Sequence, residues 1–290
     1  MGVPYAEVIG DPIEHSKSPL IHKFWLEKLG LEGDYRRSLV KPDELAGYLA
    51  SRREDPHWRG CNVTMPHKEA VLPLVGELDP KAAKVGAVNT VVPPKAQGPE
   101  GFNTDARAIA DMLSNAARPS YPAHVATYVQ IIGAGGAARA AVIGAVEAGY
   151  VDFDFFNRTV ERAQTMARWL SLSPNGYAHP LEGLGPIRNL DDGPTDQRYS
   201  HIVVNATSMG MLGNPEVPIR LRDYYPDTIV IDMAYGPNPT KLVRDGRALG
   251  LRVFDGLEVL TAQAAHAFRL FFGSDAPREH DSKLRELLTQ

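Results

Sequence analysis

The run IIGAGGAARA at residues 131–140 limits what this chain can fold into more than any other ten residues. An apolar stretch, TYVQII (127–132), leads into Gly133-x-Gly135-x-x-Ala138, and an alanine-rich helical stretch follows directly. Each small residue answers a steric demand. Gly133 permits a tight turn, Gly135 removes a side chain where backbone must approach a pyrophosphate, and Ala138 lets the helix pack closely on the strand. The free N–H groups at the helix start then face phosphate oxygens. A second apolar strand, VDFDFF (151–156), arrives next, so the run predicts the first βαβ unit of a dinucleotide-binding sheet.

The same alternation of strand-like and helical stretches extends along the chain and predicts an α/β fold. Before the glycine turn come strands at 6–10, 33–40, 59–64 and 85–93, helices at 20–30, 42–54 and 104–116, and a hairpin-like PPKAQGPEG at 93–101. Leu20, Ile21, Phe24 and Leu29 form the apolar stripe expected for the first helix. After the turn, SHIVVNATSMGM (200–211), DTIVIDMAYGP (227–237) and LRVFDG (251–256) extend a doubly wound, Rossmann-like parallel sheet. The Pro-punctuated ARPSYPAHVA (117–126) reads as a boundary region, and 171–198 as a long loop with one short strand inside it. The expected organisation is an N-terminal α/β substrate domain (1–106) and a dinucleotide domain (107–239). Helices of 240–290 pack back toward the first domain, with a cleft between the two.

Composition closes off other classes. The formal net charge is −4 with a pI near 6.1, so there is no basic footprint for nucleic acid. The nine histidines lack metal-site spacing, and no metal is expected. No apolar run approaches the roughly 20 residues needed to span a bilayer, and the N-terminus has no charged start followed by an apolar run. Position 6 is alanine where a myristoylation motif wants Ser or Thr. One cysteine, Cys61, allows no internal disulfide. Together these predict a metal-free, cytoplasmic protein.

The strand at 151–156 ends in Asn157-Arg158-Thr159, with Arg162 one turn later. An NAD site usually carries an acidic residue at that tip to hold the ribose 2′-OH, but Asp154 lies inside the strand. Asn157, Arg158, Thr159 and Arg162 offer hydrogen bonds and positive charge instead, which suits the 2′-phosphate of NADP. In CNVTMPHKEAV (61–71), Pro66 opens a short helix continued by Ala70, Val71 and Leu74. Lys68 thereby falls in the first turn, where a cation is disfavoured and calls for a local reason.

Nine motifs in order resemble the shikimate dehydrogenase family: GDPIEHSKSP (10–19), NVTMPHKE (62–69), GAVNT (86–90), GFNTD (101–105), GAGGAARA (133–140), NRT (157–159), NATSMGM (205–211), DMAYGPNPT (232–240) and GLEVLTAQAAHAF (256–268). The resemblance implies Lys68 and Asp105 as the catalytic pair, with the lysine as acid/base at the reacting oxygen. It implies Ser16, Ser18 and Tyr235 at a substrate carboxylate, and Thr64, Asn89, Asp105 and Gln263 at ring hydroxyls. For the cofactor it implies Gly133, Gly135, Gly136 and Ala137 at the phosphates, with Thr207, Met209, Met233 and Gly256 alongside. The implied reaction is reversible, NADPH-dependent reduction of 3-dehydroshikimate to shikimate, in aromatic amino-acid biosynthesis, by a monomer or homodimer.

Capping is the plainer reading for Ser18, Asn89 and Asp105, a backbone or water partner for Gln263, and solvated positions for Lys68, Arg158 and Arg162. Gln263 does fall within the apolar stripe Leu257, Leu260, Ala264, Ala267 and Phe271. One departure stands out: where relatives continue Asn-Thr-Asp with Gly-x-Gly, this chain has Ala106, Arg107 and Ala108. Two other functions fit the same motifs. One is a quinate/shikimate or aminoshikimate dehydrogenase using NAD or NADP. The other is a catalytically silent regulator that binds shikimate or a dinucleotide.

Overall fold

The computed structural model describes residues 2–93, 98–116, 127–170, 176–186 and 200–290. The chain divides into two compact units, 1–108 with 260–290, and 109–259. Both crossings occur inside helices.

The first unit is built on a mixed sheet. In chain order it contains β1 (Tyr5–Gly10), α1 (Ser18–Leu29), β2 (Asp34–Leu39), α2 (Leu45–Arg53), β3 (Trp58–Val63), α3 (His67–Ala70), β4 (Glu77–Leu78), α4 (Pro80–Val85), β5 (Thr90–Val92) and β6 (Glu100–Phe102). The strand order is β2-β1-β3-β5-β6-β4, with β1 parallel to β2 and β3, and β5 antiparallel to β3 and β6. Every residue of β1 is buried, as a strand covered on both faces requires. Tyr5 and Ile9 pack with Leu45 and Leu49 of α2. Ala6 and Val8 face the other way, toward Ala267 and Phe271.

Glu7 interrupts that apolar strand and is fully buried. Four donors hold its carboxylate: Ser38 and Tyr48 hydroxyls at 2.6 Å each, Arg52 Nε at 2.9 Å and Trp58 Nε1 at 3.0 Å. Glu7→Gln turns one acceptor into a donor facing donors. It is expected to cost about 2 kcal/mol, read as a lower urea midpoint at unchanged m-value. An unchanged midpoint would show that these bonds contribute nothing net.

Three local expectations change. The strand expected over 85–93 shrinks to β5, because LDPKAAKVG forms α4 instead. Asp79 caps it by accepting from Lys81 N (3.0 Å), Pro80 opens it, and Gly86 ends it at φ 65°. In α1, Leu20 and Leu29 are exposed, while His22, Trp25 and Leu26 join Ile21 and Phe24 inside. α3 is a single turn, followed by a 3-10 turn at Leu72–Leu74, since Pro73 cannot continue a helix. Residues 94–97 of the expected hairpin lie outside the described residues; its flanks, β5 and β6, pair antiparallel.

α5 (Thr104–Asn115) and α9 (Gly256–Phe272) belong to both units. Between them, the second unit contains β7 (Thr127–Ile132), α6 (Gly136–Glu147), β8 (Asp152–Asn157), α7 (Val160–Leu170), β9 (Gly176–Pro180), β10 (Ser200–Asn205), β11 (Ile229–Asp232), α8 (Lys241–Ala248) and β12 (Arg252–Phe254). Its sheet is parallel throughout, in the order β12-β11-β10-β7-β8-β9. That is the doubly wound order, in which strands are added to one side of β7 up to β9 and then to its other side from β10. Residues 240–259 complete this unit, because β12 hydrogen-bonds to β11; the return to the first unit begins at Leu260 rather than at 240. The expected boundary region 117–126 lies outside the described residues. So do 171–175 and 187–198 of the expected long loop, whose described part carries β9. α10 (Asp281–Leu288) closes the described chain in the first unit.

Candidate active site

Two constellations carry chemistry, one in each unit. In the first, Lys68 Nζ donates to Asp105 Oδ2 at 2.6 Å, with side chains 25% and 10% exposed. The cation in α3 therefore has its local reason. The one-turn helix has little macrodipole, and a carboxylate in the first turn of the longer α5 faces the ammonium. Asp105 is not the cap of α5. Asn103 takes that role, its Oδ1 accepting from Ala106 N at 3.0 Å, which leaves Asp105 free for Lys68.

Beside this pair lies a buried polar array. Asn89 Oδ1 accepts from Thr104 N (2.8 Å), and Asn89 Nδ2 donates to Thr104 Oγ1 (2.9 Å), so Asn89 locks the start of α5. The Thr104 hydroxyl lies 3.2 Å from Gln263 Oε1, and Gln263 Nε2 donates to Leu260 O at 2.9 Å. Each amide still has a second N–H to offer. Asn62 ties the array to Thr90 Oγ1 (3.0 Å) and accepts from the Tyr35 hydroxyl at 2.5 Å. Burial pushes the Tyr35 phenol far above its ordinary range, so it stays a neutral donor.

Ser18 does not cap α1. Lys17 holds the cap position with no side-chain bond, while Ser18 is the first residue of the helix and is buried. Ser18 N donates to Ser16 Oγ (3.3 Å), and Arg37 grips the Ser16 carbonyl through Nε and a terminal nitrogen at 2.9 and 2.6 Å. Thr64 follows β3, and a Cβ on Gly10 would lie 2.4 Å from its methyl, so the ends of β1 and β3 require glycine there. Ala106 and Ala108, the departures from Gly-x-Gly, are fully buried on α5, and Arg107 is exposed.

In the second unit, Gly133 adopts φ +116°, and a Cβ there would press on Thr207 and the Ala206 carbonyl. At Gly135 a Cβ would meet nothing within 4 Å: the space in front of the bare backbone is open. No side chain caps α6, and its first internal bond is Arg139 N to Gly135 O, so the N–H groups of Gly136 and Ala137 have no helical partner. This is a fit for a pyrophosphate.

At the tip of β8, Asn157 Nδ2 donates to Thr159 O (2.8 Å), bracing the turn. Arg158 and Arg162 are exposed and form no ion pair among the described residues. Asp154 is unavailable to a ribose. It is buried, its carboxyl is pushed up by burial against the opposing pull of His179, and its Oδ1 lies 2.6 Å from His179 Nε2. The cradle therefore suits a dinucleotide bearing a 2′-phosphate.

Thr207 and Met209 follow β10, and Met233 and Tyr235 follow β11, all in this unit. Gly256 opens α9; a Cβ on it would sit 2.3 Å from the Ala234 carbonyl oxygen and 2.8 Å from Tyr235 Cβ. Ser16, Ser18, Thr64, Lys68, Asn89, Asp105 and Gln263 belong to the first unit. Sequence reasoning missed Asn62, Asn103 and Thr104 there, and Asn205, Asp232 and Thr240 in the second unit. The available signal was an Asn, Asp or Thr at a strand end or just before a helix. Among the described residues no cluster of three or more His, Cys, Asp or Glu could hold a metal, and no helix is long and apolar enough to cross a membrane.

Known proteins resemble this chain in sequence and fold. The shikimate dehydrogenase substrate binding domain matches residues 8–91, and the shikimate 5′-dehydrogenase C-terminal domain matches 256–281. A shikimate dehydrogenase (NADP(+)) from Sphingopyxis alaskensis is 42% identical, over 98% of this chain and 97% of its own length. The structure of shikimate 5-dehydrogenase from Thermus thermophilus in complex with NADP(H) and shikimate is 33% identical, with a TM-score of 0.78 over 98% of this chain and 99% of that one. Quinate dehydrogenase from Corynebacterium glutamicum in complex with NAD is 28% identical, with a TM-score of 0.77 over 99% of each chain. With the fold, the lysine–aspartate pair and this identity across nearly its whole length, the chain belongs to the shikimate dehydrogenase family.

Proposed function

We propose that this protein catalyses the reversible, NADPH-dependent reduction of 3-dehydroshikimate to shikimate, a step of aromatic amino-acid biosynthesis. The observation that carries the reading is the 2.6 Å Lys68–Asp105 contact set beside the amides of Asn89 and Gln263. In this reading Lys68 hands a proton to the oxygen of the ring ketone, and Asp105 orients the ammonium and takes a ring hydroxyl. Asn89, Gln263 and Thr64 hold the remaining hydroxyls. Ser16, Ser18 and Tyr235 hold the carboxylate, with Ser16 steadied by Arg37. NADPH bound over Gly133–Ala137, and flanked by Thr207, Met209, Met233 and Gly256, supplies the hydride. Arg158 and Arg162, with Asn157 and Thr159, receive the 2′-phosphate. A cytoplasmic setting goes with this reading, in keeping with the single buried thiol of Cys61.

The deciding experiment is a four-way steady-state assay of shikimate and quinate, each with NADP and NAD. Shikimate with NADP is expected to have the highest kcat/KM. Preference for quinate with NAD would move the chain to the quinate branch, and binding without turnover would make it a silent relative. Arg158→Ala is expected to raise the KM for NADP about tenfold, as loss of one charge-assisted contact does, while leaving NAD use nearly unchanged. Equal losses with both cofactors would remove the 2′-phosphate assignment.

A further inference from the structure

Three loops follow the C-terminal ends of β7, β10 and β11, the edge of an open parallel sheet at which ligands bind. Asn205 and Asp232 are the last residues of β10 and β11, lie opposite each other in the ladder and are fully buried. Asn205 Nδ2 donates to Asp232 Oδ1 (2.8 Å) and to Met209 O (3.0 Å), and its Oδ1 accepts from Thr207 N (3.1 Å) and the Thr207 hydroxyl (2.6 Å). Asp232 Oδ1 also accepts from Ala234 N (3.0 Å), and its Oδ2 from the Thr240 hydroxyl. Thr240 in turn caps α8 through Val243 N (3.2 Å), and its Cβ would lie 3.0 Å from a Cβ on Gly210.

One carboxylate thus grips both ends of the 233–240 loop and, through Asn205, the 207–209 turn. Burying a carboxylate is costly unless donors hold it, as these do. What a charge adds is fixed geometry for donors from three separate segments. Tyr235 directly follows Ala234, whose N–H Asp232 holds, and a Cβ on Gly256 would lie only 2.8 Å from Tyr235 Cβ. Burial raises the Asp232 carboxyl to about 6 against the pull of Thr240, Ala234 N and Asn205.

We infer that Asp232, together with Asn205, is a positioning residue for the reaction: it holds Tyr235 at the substrate carboxylate and Thr207 and Met209 at the cofactor. The inference rests on the function proposed above. Its test combines Asp232→Asn, Tyr235→Phe and the double variant in steady-state assays with shikimate and NADP. Asp232→Asn is expected to raise the KM for shikimate about tenfold, and the double variant to be no worse than the poorer single one. Losses that multiply would show that Asp232 does not act through Tyr235 and would overturn the inference. Thr240→Val, which removes one donor to Asp232, is held to the same comparison should Asp232→Asn not fold.

The second readout is amide hydrogen exchange on ligand-free protein. Asp232→Ala is expected to speed exchange at Thr207, Met209 and Ala234 at least tenfold while leaving α7 unchanged, and unaltered protection at those three amides would equally overturn the grip. Because this readout needs no substrate, wild-type protein inactive on shikimate would refute the proposed reaction alone.

Discussion

Lys68→Ala is expected to lower kcat by about a hundredfold or more, the usual cost of losing a general acid/base, with a smaller rise in KM for shikimate. The geometry supports so large an effect. The ammonium touches one carboxylate at 2.6 Å and keeps a quarter of its side chain accessible, so it is held in place but can still reach a ligand. Lys68→Arg is expected to be nearly as inactive, because a guanidinium keeps its charge and cannot deliver a proton. Asp105→Asn preserves the contact without the negative charge and should fall between. Circular dichroism and melting of each variant separate chemistry from folding. Normal turnover in Lys68→Ala would remove the lysine from the mechanism.

The second large effect concerns stability. His22 is fully buried, stacked on Tyr35 with centroids 4.0 Å apart and packed against Trp25, Phe268 and Phe271. Neither ring nitrogen has a partner among the described residues, and burial lowers its pKa from 6.5 to about 3. No charged group touches the ring among these contacts; Tyr35, the one titratable neighbour, stays neutral. Since the folded pKa lies below the unfolded one, the unfolded chain binds the extra proton first as pH falls. Stability is therefore intact above pH 6.5 and drains away toward pH 3, by about 4–5 kcal/mol in full. Urea unfolding at pH 7 and pH 4.5 should show about 2–3 kcal/mol of that loss. His22→Phe, or His22→Leu should the larger ring not fit, carries no proton site and should lose correspondingly less. Parallel pH profiles for wild type and variant would sink this account.

Legibility differs between fold and site, and particular residues show why. The glycine turn at 133–135 is read directly, because its steric demands lie within a few residues of one another. The helix Pro80–Val85 is hidden although Asp79, Pro80 and Gly86 mark its two ends, because the apolar run beginning at Val85 reads as strand. Leu20 and Leu29 read as core and are exposed, while a histidine takes the interior position. Helical spacing identifies a face but not what covers it.

The sequence alone determined the βα alternation, the phosphate-binding turn, the two arginines after β8 and the inventory of polar residues at strand ends. These depend on backbone sterics and hydrophobic periodicity, which act over a few residues. Tertiary structure alone decided which polar groups meet. Lys68 and Asp105 are 37 residues apart, and Thr104 and Gln263 are 159 apart. It also decided that Asn103, not Asp105, caps α5, and that Asp154 is spent on His179. A hydrogen bond over such separations forms only when packing has brought both groups out of water together, and packing is a property of the whole sheet and its helices.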